Sequence, residues 1–328
     1  MAFIGIDVSK SKLDVLWLRQ VQPQKVKTRV FPNHPSSLGE VSQWLSRQTG
    51  EAPESLHVVM EATSIYHENL AYALHAAGIR VYVANPARVK EFARSEGVLN
   101  KTDKHDALVL ALYVREKHPR LTEWQPEATE IRQLRALLAR LEALEADRQR
   151  ELNRQEKAQA TDTSPRVLAS IADMIRALED EISKLKQDID NHIGGHPGLK
   201  HDRELLQSIP GIAKVCSLEL LAMINSRDFQ QARECAAFAG LVPVQSESGS
   251  SLRGRSRISK AGGSRIRKKL YMAAVTACRC NPDVHALQQR MLARGKSKMA
   301  VLVAAMRKLI HIAFGVIKHQ QEYVPQAI

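Results

Sequence analysis

In the first third of the chain, apolar residues come in blocks of strand length, separated by stretches with helical spacing. FIGID and LDVLWL flank the polar turn VSKSK and read as a hairpin, and VKTRVF is a third strand candidate. A helix is expected from Pro35 to Gln48, with Ser36 and Ser37 as its caps. LHVVMEA follows as a strand, IYHENLAYALHAAG as an amphipathic helix ending at Gly78, and RVYVAN as a fifth strand before a helix opened by Pro86. Past residue 125 the period changes. Leu134, Leu137, Leu138, Leu141 and Leu144 recur at helical spacing, and a polar break, NRQEKAQATDTSP, ends at Pro165. Leu168, Ile171, Ile175, Leu178, Ile182, Leu185 and Ile189 then alternate steps of three and four, the stripe of a coiled-coil seam. Such a seam closes either on the preceding helix or on another subunit.

The stretch HIGGHPGLKHD reads as a Gly/Pro linker, with a further domain starting near Arg203. ELLQSIPGIAKVCSLELLAMI is two helical patterns joined by a short Gly turn, in the manner of a helix–hairpin–helix that offers backbone N–H groups to phosphates. RIRKKLYMAAVTACR and KMAVLVAAMRKLIHIAFGVI read as two closing helices with Arg and Lys beside an apolar face. The expected organisation is an α/β domain over residues 1–125, a helical coiled-coil segment over 126–198 and a mostly α-helical domain over 199–328. The strand and helix order of the first domain, β-β-β-α-β-α-β-α, resembles the ribonuclease H (RuvC)-like fold.

Charge sharpens this picture. The chain carries a net charge of +13, and nearly all the excess lies in the last third. Between Ser248 and Pro282 stand nine Arg or Lys and no Asp or Glu, a local field that favours a polyanion. No apolar run approaches the ~18 residues of a membrane span, and the N-terminus lacks the charged-then-apolar order of a signal peptide. The 4 cysteines, Cys216, Cys235, Cys278 and Cys280, give neither a disulfide framework nor a zinc set, so buried, reduced thiols in the cytoplasm are expected.

The candidate chemistry lies in four carboxylates within three motifs: Asp7 in FIGIDVSK, Glu61 in HVVMEATSIY, and Asp103 and Asp106 in NKTDKHDA. Asp7 and Glu61 each follow an apolar strand, and an i, i+3 pair projects from one side of a helix. Oxygen ligands from three elements that meet at one place suit Mg²⁺, which assists phosphodiester chemistry by clamping attacking and leaving oxygens. Singly, each has a structural alternative: Asp7 as a turn residue, Asp103 and Asp106 as a helix cap and first-turn acid. Asp14, in KLDV, is read as a hairpin residue. His57, His67, His75 and His105 show no ligand spacing.

The second candidate is the run VQSESGSSLRGRSRISKAGGSR, rich in Gly, Ser and Arg. Flexible backbone with forked Arg donors suits phosphate contact, and Arg253, Arg255, Arg257, Lys260, Arg265, Arg267, Lys268 and Lys269 are the candidate nucleic-acid-binding residues. A serine there could attack a phosphodiester, but periodicity does not say which, and composition alone favours a plain basic phosphate-binding loop.

Taken in order, GIDVSKSKLDV, MEATSIY, NKTDKHDA, the IPGI turn, AAFAGLVP and ESGSSLRGRSRISKAG resemble the DEDD transposases of insertion sequences, a family that includes pilin-gene invertases and bridge-RNA-guided recombinases. The resemblance runs from about residue 3 to residue 320. It implies that Asp7, Glu61, Asp103 and Asp106 form an acidic tetrad for Mg²⁺, and that Ser248, in the E-S-G-S-S run, attacks DNA to form a phosphoserine. It also implies double-stranded donor and target DNA, a structured guide RNA, a dimer assembling to a tetramer, no membrane, and a cytoplasmic location at the nucleoid of a bacterial or archaeal cell. Two departures stand out: Ser64 where the family often has Gly, and IPGIA where a second Gly is common. Three rival readings of the residues are a metal-dependent nuclease or junction resolvase without a protein nucleophile, an actin-like ATPase or sugar kinase, and a non-catalytic RNA-binding protein.

Overall fold

The computed structural model describes residues 1–62, 65–97, 103–244, 247–248, 252–253, 257–260 and 262–326; Asp103, Lys104, Glu247, Ser248, Leu252 and Arg253 are described by their backbone alone. The chain divides into two compact units, Met1–Pro126 and Glu127–Ile328.

The first unit is built on a five-stranded sheet. Its strands are β1 (Ala2–Val8), β2 (Lys12–Gln20), β3 (Lys25–Pro32), β4 (Leu56–Glu61) and β5 (Arg80–Ala84), in the spatial order β3-β2-β1-β4-β5. β2 runs antiparallel to β1 and β3, whereas β1, β4 and β5 are parallel. This is the order expected of a ribonuclease H-like domain. The central strands β1 and β4 are covered on both faces, which is why they read as continuous apolar runs rather than as alternation. At the edge, β3 is mostly exposed and carries Lys and Arg, a composition that discourages pairing with another chain.

Helices cover both faces. α1 (Leu38–Thr49) and α2 (Glu68–Ala76) set Val41, Leu45, Leu70 and Leu74 against Ile4, Ile6, Val58 and Met60. Residues 35–37 form a separate 3₁₀ turn capped by His34, and Ser37 makes no side-chain cap at the start of α1, so the expected serine caps are replaced by His34. On the other face lie α3 (Pro86–Ser95), capped by Asn85 on the Ala87 N–H, and α4 (Asp103–Lys117). Val89, Phe92, Val109, Leu110, Tyr113 and Val114 pack there with Val59 and Tyr82.

The second unit is mostly helical. α5 (Thr129–Gln159) and α6 (Pro165–Gly194) pack together along their length. His192 with the Glu130 carbonyl, Lys186 with Glu145 and Arg148 with Glu179 show that they run in opposite directions. Two expectations change here. Residues 153–159 continue α5, so the polar break shrinks to the few residues before Pro165. Only Gly195 and His196 separate α6 from α7 (Pro197–Gln207), so the Gly/Pro stretch is a helix corner rather than a linker, and α5 and α6 share one compact unit with the rest of the chain to Ile328. α8 (Lys214–Ile224) is buried on every side from Cys216 onward, and α9 (Ala232–Phe238) comes after it. The short strands β6 (Pro243–Val244), β7 (Glu247–Ser248), β8 (Leu252–Arg253) and β9 (Arg257–Ile258) come next.

The chain closes with α10 (Ser264–Cys280), α11 (Pro282–Ala293) and α12 (Lys298–His319). The sequence pattern predicts two helices here; α11, opened by Pro282 and capped by Asn281, is a third. α12 is long and apolar enough to cross a membrane, contrary to the expectation that no segment would be. Its Val301, Ala305, Met306, Leu309, Ile310, Ala313 and Phe314 are instead buried in the core of this unit. Cys216, Cys235 and Cys278 are buried and Cys280 is exposed, all as free thiols.

Candidate acidic centre and basic hairpin

The order of the sheet selects where chemistry can sit. From β1 the chain builds outward through β2 and β3, then returns to β4 on the other side of β1. In open α/β sheets the crevice beyond the strand ends at such a reversal is where ligands bind. Asp7 and Glu61 lie at that place. Ile6 is level with Met60 in the parallel pair, so Asp7 and Glu61 occupy the same rung at the carboxyl ends of β1 and β4.

Both face the layer that carries α4. Alternation along β1 puts Asp7 on the same face as Gly5, where a Cβ would stand 2.0 Å from the Ala107 carbonyl oxygen and 2.6 Å from the Ala111 nitrogen. The backbone of α4 therefore lies directly on the bare Cα of Gly5. Asp106 precedes that contact by one residue and Asp103 by one turn, so the helix brings its acidic N-terminal turn toward the strand ends. The four acidic positions expected from sequence thus fall on elements that meet at one edge of the first unit. Among the described residues no three acidic, histidine or cysteine side chains already enclose a metal position, and the Asp103 side chain lies outside them. The all-carboxylate donor set suits a hard divalent cation such as Mg²⁺.

Asn33, which sequence reading passed over, braces this edge. Its amide donates to the Ser9 carbonyl, 2.8 Å, and to the Tyr66 carbonyl, 3.1 Å, linking the segments that follow Asp7 and Glu61. Its own N–H reaches the Ser11 carbonyl, and Ser9 closes the β1–β2 turn through Lys12. Ser64 lies outside the described residues.

The serine-rich run, in the second unit, is a two-tier hairpin. Pro243 and Val244 pair with Ile258 and Arg257; farther out, Glu247 and Ser248 pair with Arg253 and Leu252. Ser248 therefore sits in the outer pair, opposite Leu252. The base is pinned by Ser259 N–H to the Val242 carbonyl and Lys260 N–H to the Gly240 carbonyl. Gly262 passes so close to α9 that a Cβ would meet the Phe238 carbonyl oxygen at 1.8 Å.

The basic residues divide into two groups. Arg257, Lys260 and Lys268 are exposed. Arg265, expected to bind nucleic acid, instead pairs with buried Glu219 at 2.8 Å. Burial pushes the Glu219 carboxyl up from its ordinary range, and the Arg265 charge opposes that rise. Arg267, also expected at nucleic acid, donates to the Ala239 carbonyl at 3.2 Å and the Gly262 carbonyl at 2.6 Å, fixing the exit of the hairpin. Lys269 is half-buried, 3.9 Å from Glu145. In each case a long cation serves the packing of its own helix, which composition does not reveal. The side chain of Arg253 and all of Arg255 lie outside the described residues.

The IPGIA turn, read from sequence as a helix–hairpin–helix candidate, is a packing joint. Ile209 and Ile212 are buried, and Gly211, at φ +97°, presses on Ala277 of α10, where its Cβ would come within 2.7 Å. Asn281, just past the end of α10, donates its amide to the Pro210 carbonyl.

Comparison with known proteins places these elements in context. Residues 4–159 match a transposase family defined on the DEDD domain of IS110, and residues 203–289 match the transposase IS116/IS110/IS902 family. The pilin gene-inverting protein of Moraxella bovis is 32% identical over 323 residues, covering 98% of this chain and 97% of that protein. The pilin gene-inverting protein of Moraxella lacunata is likewise 32% identical over 323 residues. A protein of insertion element IS110 from Streptomyces coelicolor is 24% identical over 159 residues, 48% of this chain and 38% of that protein. Among solved structures, Thermus thermophilus RuvC in complex with a Holliday junction substrate superposes with a TM-score of 0.27 at 18% identity, covering 38% of this chain and all of that one.

Proposed function

The chain belongs to the IS110 family of transposases, and from that premise we propose that it cuts and rejoins DNA through a metal-assisted phosphoserine exchange. The observation that carries this reading is the meeting of Asp7 and Glu61 on one rung with α4, seated on Gly5, at the reversal of the sheet. Asp7, Glu61, Asp103 and Asp106 would hold Mg²⁺, which when bound polarises a phosphate and stabilises charge gathering on its oxygens. The carboxylates would fix where that ion, and the phosphate it binds, sits at the strand ends, since positioning supplies much of the barrier reduction in phosphoryl transfer.

Ser248 is the proposed nucleophile. Its Oγ–P bond forms as one P–O bond to deoxyribose breaks, and the Oγ proton ends on the departing hydroxyl. A hydroxyl from another strand then attacks the phosphoserine and restores Ser248. One phosphoester replaces another at each step, so rejoining needs no outside energy source. Exposed Arg257, Lys260 and Lys268 would contact the DNA backbone, while Arg265, Arg267 and Lys269 hold the hairpin and α10 in place. A structured guide RNA and assembly of dimers into a tetramer belong to the same reading and rest on the family resemblance. In that arrangement base pairing would choose the site, and protein would read backbone and shape.

The test is a denaturing gel of the full chain with labelled element-junction DNA, RNA from the element's flank, and Mg²⁺. A slow, protease-sensitive band is expected in wild type and lost in Ser248→Ala. Cleavage of equal extent in both proteins, with no such band, would remove the serine from the mechanism and leave a nuclease that uses water. Cleavage unaffected by Asp106→Asn or by chelation would refute the metal site.

A further inference from the structure

The β1–β2 pairing places a further carboxylate beside Asp7. Asp14 is the direct cross-strand partner of Asp7, and Glu61 lies on the same rung of β4. Asp14, Asp7 and Glu61 therefore form a row across three adjacent strands. All three face α4: Asp7 with Gly5, Asp14 with Leu16 and Leu18, which pack on Ala107 and Ala111, and Glu61 with Val59. The hairpin reading of Asp14 accounts for its strand but not for this neighbour.

Two like charges directly opposite each other destabilise a sheet, because the strands hold their side chains about 5 Å apart. Asp14 cannot escape into water as an edge residue would, since its side chain is 16% exposed. Lys12 Nζ stands 3.2 Å from Asp14 Oδ2, off the line of a hydrogen bond. That buried oxygen accepts no hydrogen bond from any described residue. A packed carboxylate with an unused lone pair, beside a second carboxylate, is an arrangement that a divalent cation would relieve.

We propose that Asp14 is a positioning residue of the acidic site, whose charge beside Asp7 strengthens the hold on a divalent cation and fixes where along the rung it sits. The inference rests on the proposed function, in which the acidic set binds such an ion. Lys12, 44% exposed on a flexible stem, is the cation that would yield its place near Asp14 when the divalent ion enters.

Mn²⁺ binding to the full chain tests this, followed by calorimetry and by the loss of the free-ion electron paramagnetic resonance signal, with thermal melts taken with and without Mn²⁺. Asp14→Asn keeps the side chain's shape and removes its charge. Its Mn²⁺ affinity should fall about tenfold, the Coulomb effect of one negative charge roughly 5–6 Å from a divalent ion in a water-like dielectric. Its metal-free melting temperature should hold or rise, since the repulsion from Asp7 is gone. Lys12→Met should tighten Mn²⁺ binding severalfold, and Asp14→Glu should restore most of the affinity. If Asp14→Asn binds Mn²⁺ as wild type does and melts lower without metal, Asp14 is only the partner of Lys12 and the inference is overturned. Asp7→Asn separates the two levels: should it bind Mn²⁺ unchanged, the metal site itself is wrong, whatever Asp14 does.

Discussion

Replacing Gly5 by Ala adds one methyl group at the closest approach of α4 to the sheet. The new Cβ would lie 2.0 Å from the Ala107 carbonyl oxygen, 2.6 Å from the Ala111 nitrogen and 2.9 Å from Leu110 Cβ. Two of these three obstacles are backbone, so no rotamer change clears them. Ordinary van der Waals contact begins at 3.4 Å, so the helix must lift from β1 by about 1.4 Å at Ala107. Overpacking of this kind costs about 1–3 kcal/mol. Function should suffer as well as stability, because Asp106 is the neighbour of Ala107 and rides on the same turn. Misplacing a reacting group by about 1 Å costs on the order of a hundredfold in rate. Gly5→Ala is therefore expected to remain folded by circular dichroism, to lose about 1–3 kcal/mol in urea denaturation, and to cut junction DNA about a hundredfold more slowly. Ala107→Gly in the same background should not rescue it, since the obstructing atom is the carbonyl oxygen that Gly also carries. A Gly5→Ala protein with wild-type cleavage would show that the α4 acid does not need this seat, and the architecture argued for the centre would be refuted.

Two further outcomes come from buried charge. Glu219→Ala leaves Arg265, partly buried, with Glu142 alone, 4.0 Å away; removing one member of a buried pair costs about 3–5 kcal/mol, and urea denaturation should show a loss near the lower end of that range. A loss under about 1 kcal/mol would mean that water already screens the pair. His57, 1% exposed and hydrogen-bonded to Tyr82, is lowered to about 4 by burial, with the nearby His118 and Arg80 charges adding to the effect. Its unfolded form takes up a proton near pH 6.5 and its folded form only near 4, so stability is full above 6.5 and falls as pH drops through this window. Between about pH 7.5 and 5 the loss should be about 2 kcal/mol. His57→Leu should flatten that part of the curve, and an unchanged slope would remove His57 as its cause.

Much of this protein is legible in the sequence alone. The apolar runs around Ile4 and Val59 read as strands because burial on both faces leaves no room for polar residues. Their order with the intervening helices named the sheet architecture. Asp7 and Glu61 stood out because a charge directly after such a run has to sit at a strand end. The six ordered motifs then carried the family. Helix ends were less legible: residues 153–159 are polar yet helical because α5 leans on α6, and α11 is short and weakly periodic.

What periodicity records is the environment of a position, not the identity of its partner. That Asp14 faces Asp7 depends on the register of a hairpin, a pairing that could have been counted out from the VSKSK turn had the turn geometry been fixed in advance. That Arg265 meets Glu219, and Arg267 the carbonyls of Ala239 and Gly262, depends on contacts between residues far apart in sequence, and in a one-dimensional reading both look like free cations on a basic helix. The seat of α4 on Gly5 is of the same kind, since a glycine inside a strand signals close approach without saying of what. Composition and local period set the elements and the residue types available for chemistry; register and long-range packing decided which of them meet, because those terms are pairwise and each partner is chosen only when the chain folds.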